Sequence, residues 1–101
     1  MKLIQFKLVT IICEPVLIHH VLALIKELGA TGHTLSEVRG EGNGEKSSGE
    51  IPDSKLKIEI VAEPELAIEI MRIVAERFFG NYSLITYATE VQVVRAEKFE
   101  S

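Results

Sequence analysis

The sequence predicts an α+β domain of order β-α-β-β-α-β, with an antiparallel sheet carrying both helices on one face. Three observations lead there: an internal repeat, two amphipathic helical patterns, and alternating strands on either side of them. The repeat matches IICEPVLIHHVLALIKELG, Ile11 to Gly29, with IVAEPELAIEIMRIVAERFFG, Ile60 to Gly80. Each copy runs from β-branched residues through Glu-Pro into a helical pattern and ends on glycine.

Glu14-Pro15 and Glu63-Pro64 occupy matching places, with proline at the first helical turn, where its missing N–H has no intrahelical partner to lose. Gly29 and Gly80 stand where a left-handed helix stop is expected. In the first helix Leu17, Val21, Leu24, Ile25 and Leu28 form the apolar stripe. In the second, Ala67, Ile70, Met71, Val74 and Phe78 oppose a polar stripe of Glu65, Glu69, Arg72 and Glu76. Lys55 to Ala62 alternates, with Ile58, Ile60 and Ala62 on one face and Lys57, Glu59 and Val61 on the other. Further strands are expected over Leu3–Ile12, Gly32–Arg39 and Ile85–Arg95. Two like halves in this order give the ferredoxin-like arrangement. The strand Leu3–Ile12 is apolar on both faces, so the sheet face away from the helices needs a partner, and homo-oligomerisation is the simplest one.

Size and charge narrow the function. A chain of 101 residues reads as one domain with one core, 1–101. Its formal charge of −4 argues against nucleic acid, whose phosphates need a broad basic face. Cys13 is the only cysteine, so neither an internal disulfide nor a cysteine-based zinc site can form, and its apolar surroundings read as burial. The N-terminal apolar stretch is too short to span a membrane and lacks a cleavage signal, giving a cytoplasmic expectation.

Between the halves lies RGEGNGEKSSGEIPDS, Arg39 to Ser54, longer than a hairpin needs and nearly without apolar residues. It reads either as a solvated tip or as a functional loop. Gly40, Gly42 and Gly44 alternate directly after a strand, where backbone N–H groups can turn toward a phosphate. The Walker pattern is absent, and a strand rather than a helix follows, which excludes the dinucleotide motif.

The stretch GATGHTLSEVRGEG, Gly29 to Gly42, closely resembles the second-strand signature of the PII signal-transduction family. LKIEIV, Leu56 to Val61, and EVQVVR, Glu90 to Arg95, resemble its later strands, and the likeness covers nearly the whole chain. The resemblance implies a homotrimer with adenine nucleotides in three inter-subunit clefts. It also implies a T-loop, here about 40–54, that answers the ligand and docks on a target, often a membrane transporter. It places Ile12, Thr34 and Val61 at the adenine and Glu59 at the pocket edge. Gly40 and Gly42 would meet the phosphates, Gly80 would approach from a neighbouring subunit, and Arg95 would contact phosphate through its guanidinium fork.

Departures from the classical nitrogen-sensing members are specific. The T-loop carries no tyrosine, the glutamine that helps hold Mg-ATP and 2-oxoglutarate is Gly44, and the preceding basic residue is Asn43. The first arginine of the terminal pair is Val93, and the lysine after the second helix is Ser83. These losses of positive charge disfavour triphosphate and argue against 2-oxoglutarate sensing. KSSGEIPDSKLKIEI, Lys46 to Ile60, and RFFGNYSLITY, Arg77 to Tyr87, instead resemble the PII-like branch that regulates bicarbonate transport, with its carboxysome-associated relatives. That branch implies AMP, ADP, ATP or cyclic AMP as ligand, with bicarbonate in some members, and Lys46 as a basic phosphate contact. Its cyanobacterial cysteine-bracketed extension has no counterpart in EKFES.

No catalytic constellation stands beside these features: Ser47 and Ser48 have no adjacent histidine, and no nucleophile elbow exists. His19 and His20 point about 100° apart on a helix, unlike a metal pair spaced by three or four. His33 reads as a neutral strand histidine, and Glu45, Glu50 and Asp53 read as solvated loop acids. The resemblance leaves a carbon-linked nucleotide-responsive regulator and a classical nitrogen regulator, and the same fold also admits a trimeric CutA-type metal-tolerance or scaffold protein. The EVRGEG run favours the first, because a scaffold has no need of glycines there.

Overall fold

The computed structural model describes residues 1–41 and 53–100. Strand β1 spans Ile4–Cys13, and a 3-10 turn, Pro15–Leu17, leads into helix α1, Ile18–Glu27. Strands β2, Thr34–Arg39, and β3, Ser54–Ala62, follow, then helix α2, Pro64–Phe78, and strand β4, Ile85–Val93. A second 3-10 turn, Ala96–Lys98, comes after β4. The sheet order is β2-β3-β1-β4 with every neighbouring pair antiparallel. This is the predicted ferredoxin-like α+β arrangement, and the element bounds shift by only a few residues.

Alternation on the two central strands decides what is inside. Val9, Ile11 and Cys13 of β1 and Ile58, Ile60 and Ala62 of β3 are buried. They form one core with Val21, Leu24 and Ile25 of α1 and Ala67, Ile70 and Val74 of α2. The opposite parity faces away from the helices. There Leu8 pairs with Val61 and Thr89, Thr10 with Glu59 and Tyr87, and Ile12 with Lys57 and Ile85. On that face Ile85 is 54% and Tyr87 47% exposed, so large apolar side chains stand open there beside the polar ones of β2 and β3.

The polar stripe of α2 forms as its spacing predicts. Arg72 donates to both oxygens of Glu69, at 2.7 and 3.3 Å, and to Glu76 at 2.8 Å. Across the sheet, Lys7 and Glu90 face each other in register and pair at 3.3 Å.

The helix ends divide the two glycines expected to be alike. Gly29 has φ +109° and sits in a Schellman closure, with the Gly29 N–H donating to the Lys26 carbonyl and the Ala30 N–H to the Ile25 carbonyl. Gly80 is not left-handed, against expectation. There the chain leaves α2 by repeated use of one acceptor: the Asn81 and Tyr82 N–H groups both donate to the Phe78 carbonyl. Tyr82 also stacks edge-on against Phe78, with ring centroids 6.4 Å apart. The first turn after Glu14 is 3-10 rather than α, because the Leu17 N–H takes the Glu14 carbonyl at i−3.

Cys13 is free and fully buried, as its apolar run predicts. Burial raises its thiol pKa, with Glu14 adding to the shift and Lys55 opposing it. The thiol therefore holds its proton in the fold at a pH where the unfolded chain releases it. Its stabilising contribution is complete below the free thiol's value of 9.0 and is lost as pH rises through the folded value. Native protein at pH 8 is expected to leave Cys13 unalkylated by iodoacetamide, with fast reaction once urea unfolds it; fast reaction in the native state contradicts the burial. Gly29→Ala is expected to cost about 1–3 kcal/mol in urea melts at fixed protein concentration, since a side chain at that φ is strained. A Cβ on Gly80 meets no atom within 4 Å, so Gly80→Ala is expected to leave the melt unchanged.

Candidate functional site

Among the described residues, the sheet face away from the helices carries two adjoining grooves. The first, about 400 Å³ in volume, is floored by Leu8 of β1 and Val61 of β3. Thr34 of β2 and Glu59 of β3 supply polar edges, the linker Thr31–His33 forms one rim, and Lys98 and Phe99 form the other. Thr34 lies opposite Glu59 in the β2–β3 register, so both side chains reach the same face. Three residues expected at the nucleotide, Thr34, Glu59 and Val61, thus meet in one place.

The second groove, about 350 Å³, is lined by Ile12, Val38, Arg39, Gly40, Glu41, Lys55, Lys57, Ser83, Ile85 and Tyr87. Ile12, expected beside Thr34 and Val61, lies here because its β3 partner is Lys57 rather than Glu59. Lys57 and Glu59 are alternate residues of one strand, roughly 6–7 Å apart, so the two grooves are neighbours. Lys55 and Lys57 bring positive charge to this groove, with Arg39 and Glu41 at its end. Lys55 is only 8% exposed although it is charged.

Gly40 closes the base of the segment between β2 and β3. Its N–H donates to the Asp53 carbonyl at a long 3.4 Å, and Arg39 faces Ser54 in register. The amide that the resemblance assigns to phosphate is therefore shared with Asp53, in a bond weak enough to exchange. Gly42 and Lys46, together with the rest of 42–52, lie outside the described residues. Gly80, in the turn after α2, and Arg95, after β4, line neither groove; the Arg95 side chain is 69% exposed and stands 3.8 Å from Glu97. One chain thus assembles a groove with an apolar floor and a basic groove, and leaves Gly80 and Arg95 outside both.

Lys55, Lys57, Lys98 and Phe99 were not singled out from the sequence. For the two lysines a signal existed: period-two spacing puts 55 and 57 on the face that carries 59 and 61. His19 and His20 are exposed on α1 and line a separate groove with Glu27 and Arg77. Among the described residues no group of three metal-ligating side chains converges, and no helix is long and apolar enough to cross a membrane.

The family model described as Nitrogen regulatory protein P-II matches residues 6–98. The chain belongs to the P-II family. A solved structure of a candidate PII-like signaling protein from Thermus thermophilus is 35% identical, covers 98% of this chain and 99% of its own, and superposes with a TM-score of 0.83. CPII, a PII-like protein from Thiomonas intermedia solved with ADP, AMP and acetate, is 24% identical, covers 100% of both chains and has a TM-score of 0.82. The same protein bound to ADP and bicarbonate is 24% identical over 97% of each chain, with a TM-score of 0.83. The matched residues take in all four strands and both helices, and the grooves lie on the sheet face away from those helices.

Proposed function

We propose that the chain is a nucleotide-sensing P-II regulator rather than an enzyme. In this reading it forms a homotrimer through the uncovered sheet face, holds an adenine nucleotide in each inter-subunit cleft, and uses segment 40–54 to regulate a partner. The observation that carries the reading is the convergence of Thr34, Glu59 and Val61 in one groove beside the basic one. An apolar floor with a hydroxyl and a carboxylate at its edges suits a purine, whose faces are apolar and whose edge carries an amino donor. The phosphates would run toward Gly40 and Lys57, where Lys55 also contributes positive charge. That charge makes good part of what Asn43, Val93 and Ser83 fail to supply.

The ligands of CPII, ADP and AMP with bicarbonate or acetate, support an adenine nucleotide together with a small anion. We therefore read the partner as a membrane transporter linked to inorganic-carbon uptake, with the protein held in the cytoplasm or at the membrane through that partner. Gly80 and Arg95, which one subunit leaves outside its grooves, would complete the neighbouring subunit's cleft. Gly42 and Lys46 would meet the phosphates from segment 40–54. The ligand would act by its difference in affinity between two arrangements of the regulatory segment. The family's description as nitrogen-regulatory supports a second reading, a classical nitrogen regulator answering 2-oxoglutarate. The glycine at position 44 weighs against it.

Calorimetry with AMP, ADP, ATP and cyclic AMP, each with and without bicarbonate and with 2-oxoglutarate, separates these readings. The carbon-linked regulator is expected to bind at least one nucleotide below millimolar, without help from 2-oxoglutarate. No nucleotide binding in that range overturns the regulator reading, and 2-oxoglutarate-dependent ATP binding supports the nitrogen regulator. Arg95→Ala is expected to weaken ADP by about 1.5–3 kcal/mol through loss of a charge-assisted contact; unchanged affinity removes Arg95 from the site.

A further inference from the structure

The segment after β4 folds back onto the sheet instead of continuing away from it. The Lys98 N–H donates to the Arg95 carbonyl at 3.1 Å, and the Phe99 N–H to the Ala96 carbonyl at 3.0 Å. These bonds wind Ala96–Lys98 into a 3-10 turn that carries the Phe99 ring to Phe6 of β1, with centroids 5.9 Å apart and planes inclined at 61°. Phe6 shares the parity of Leu8 on β1 and so points to the uncovered face, yet it is only 4% exposed. The same Phe99 forms a wall of the groove floored by Leu8 and Val61.

Two aromatic rings set edge to face leave at least one face of Phe99 unpaired, because an edge-to-face contact occupies at most one face of each ring. That ring borders a groove whose volume, about 400 Å³, falls within the roughly 300–1,000 Å³ typical of small-molecule sites. A purine in it would lie between the aliphatic floor and an aromatic wall, with Thr34 and Glu59 at its edge. The turn that carries the wall begins at Arg95, so the anchor that seats Phe99 also fixes where Arg95 leaves the sheet.

We propose that Phe99 is the aromatic wall of the base-binding groove and determines affinity for the nucleobase, with Phe6 as the residue that positions it. This rests on the nucleotide-binding reading above and adds a residue to that site. Base stacking on an aromatic side chain is typically worth enough that its removal weakens binding roughly 5- to 150-fold.

The test is calorimetry of the full chain and its Phe99→Ala, Phe99→Leu and Phe99→Tyr variants against AMP, ADP and ATP. Phe99→Ala and Phe99→Leu should weaken all three nucleotides by a similar factor in that range. Phe99→Tyr should restore affinity, because the ring face is kept. Phe99→Leu keeps an apolar side chain on Phe6, so it stands in for the alanine variant should that one fail to fold. Affinity unchanged in the leucine variant overturns the proposal. So does a loss that grows with phosphate number, which would show that the segment serves only to place Arg95. If the unaltered chain binds no nucleotide, the regulator reading itself falls; if it binds and the variants match it, only the role of Phe99 falls.

Discussion

The fold depends on one strand that must satisfy two environments. β1 pairs on one side with β3 and on the other with β4, so it has no free edge, and its alternate residues set the chemistry of both sheet faces. Val9, Ile11 and Cys13 give the helices a dry surface to pack on. Leu8, Thr10 and Ile12 point the other way, and with them the floor of both grooves on the open face. A one-residue slip of β1 would exchange these sets, turning Thr10 toward the helices and Val9, Ile11 and Cys13 away from them. Register in the centre of the sheet therefore fixes stability and site together.

The core was legible because it follows local periods. Spacing of 3.6 residues located the buried faces of both helices, and alternation located Ile58, Ile60 and Ala62. The glycines show where local reasoning stops. Gly29 and Gly80 close the two copies of one repeat, yet only Gly29 adopts positive φ. The difference arises outside the repeat: Ala30 follows Gly29 and packs against the core, completing the Schellman closure. After Gly80 the chain instead seats Tyr82 on Phe78.

The site was legible in part, for a related reason. Thr34, Glu59 and Val61 converge because antiparallel register brings matching parities together, which the resemblance already implied. The basic groove was harder to foresee. Lys55 and Lys57 read as the wet side of an alternating strand until β1 and β2 place Ile12 and Val38 beside them. The Phe6–Phe99 contact joins the two ends of the described chain through a single 3-10 turn, an element with almost no sequence signal. Gly80 and Arg95 line neither groove of one chain, and the proposed function assigns them to a neighbouring subunit's cleft.

In this account the uncovered sheet face is an interface, and the nucleotide site is completed across it. Native mass spectrometry of the protein with ADP tests this directly. The account predicts a trimer carrying up to three nucleotides, with nucleotide retained by the trimer and absent from monomers released on dilution. A chain that stays monomeric and binds ADP with full affinity would contradict it.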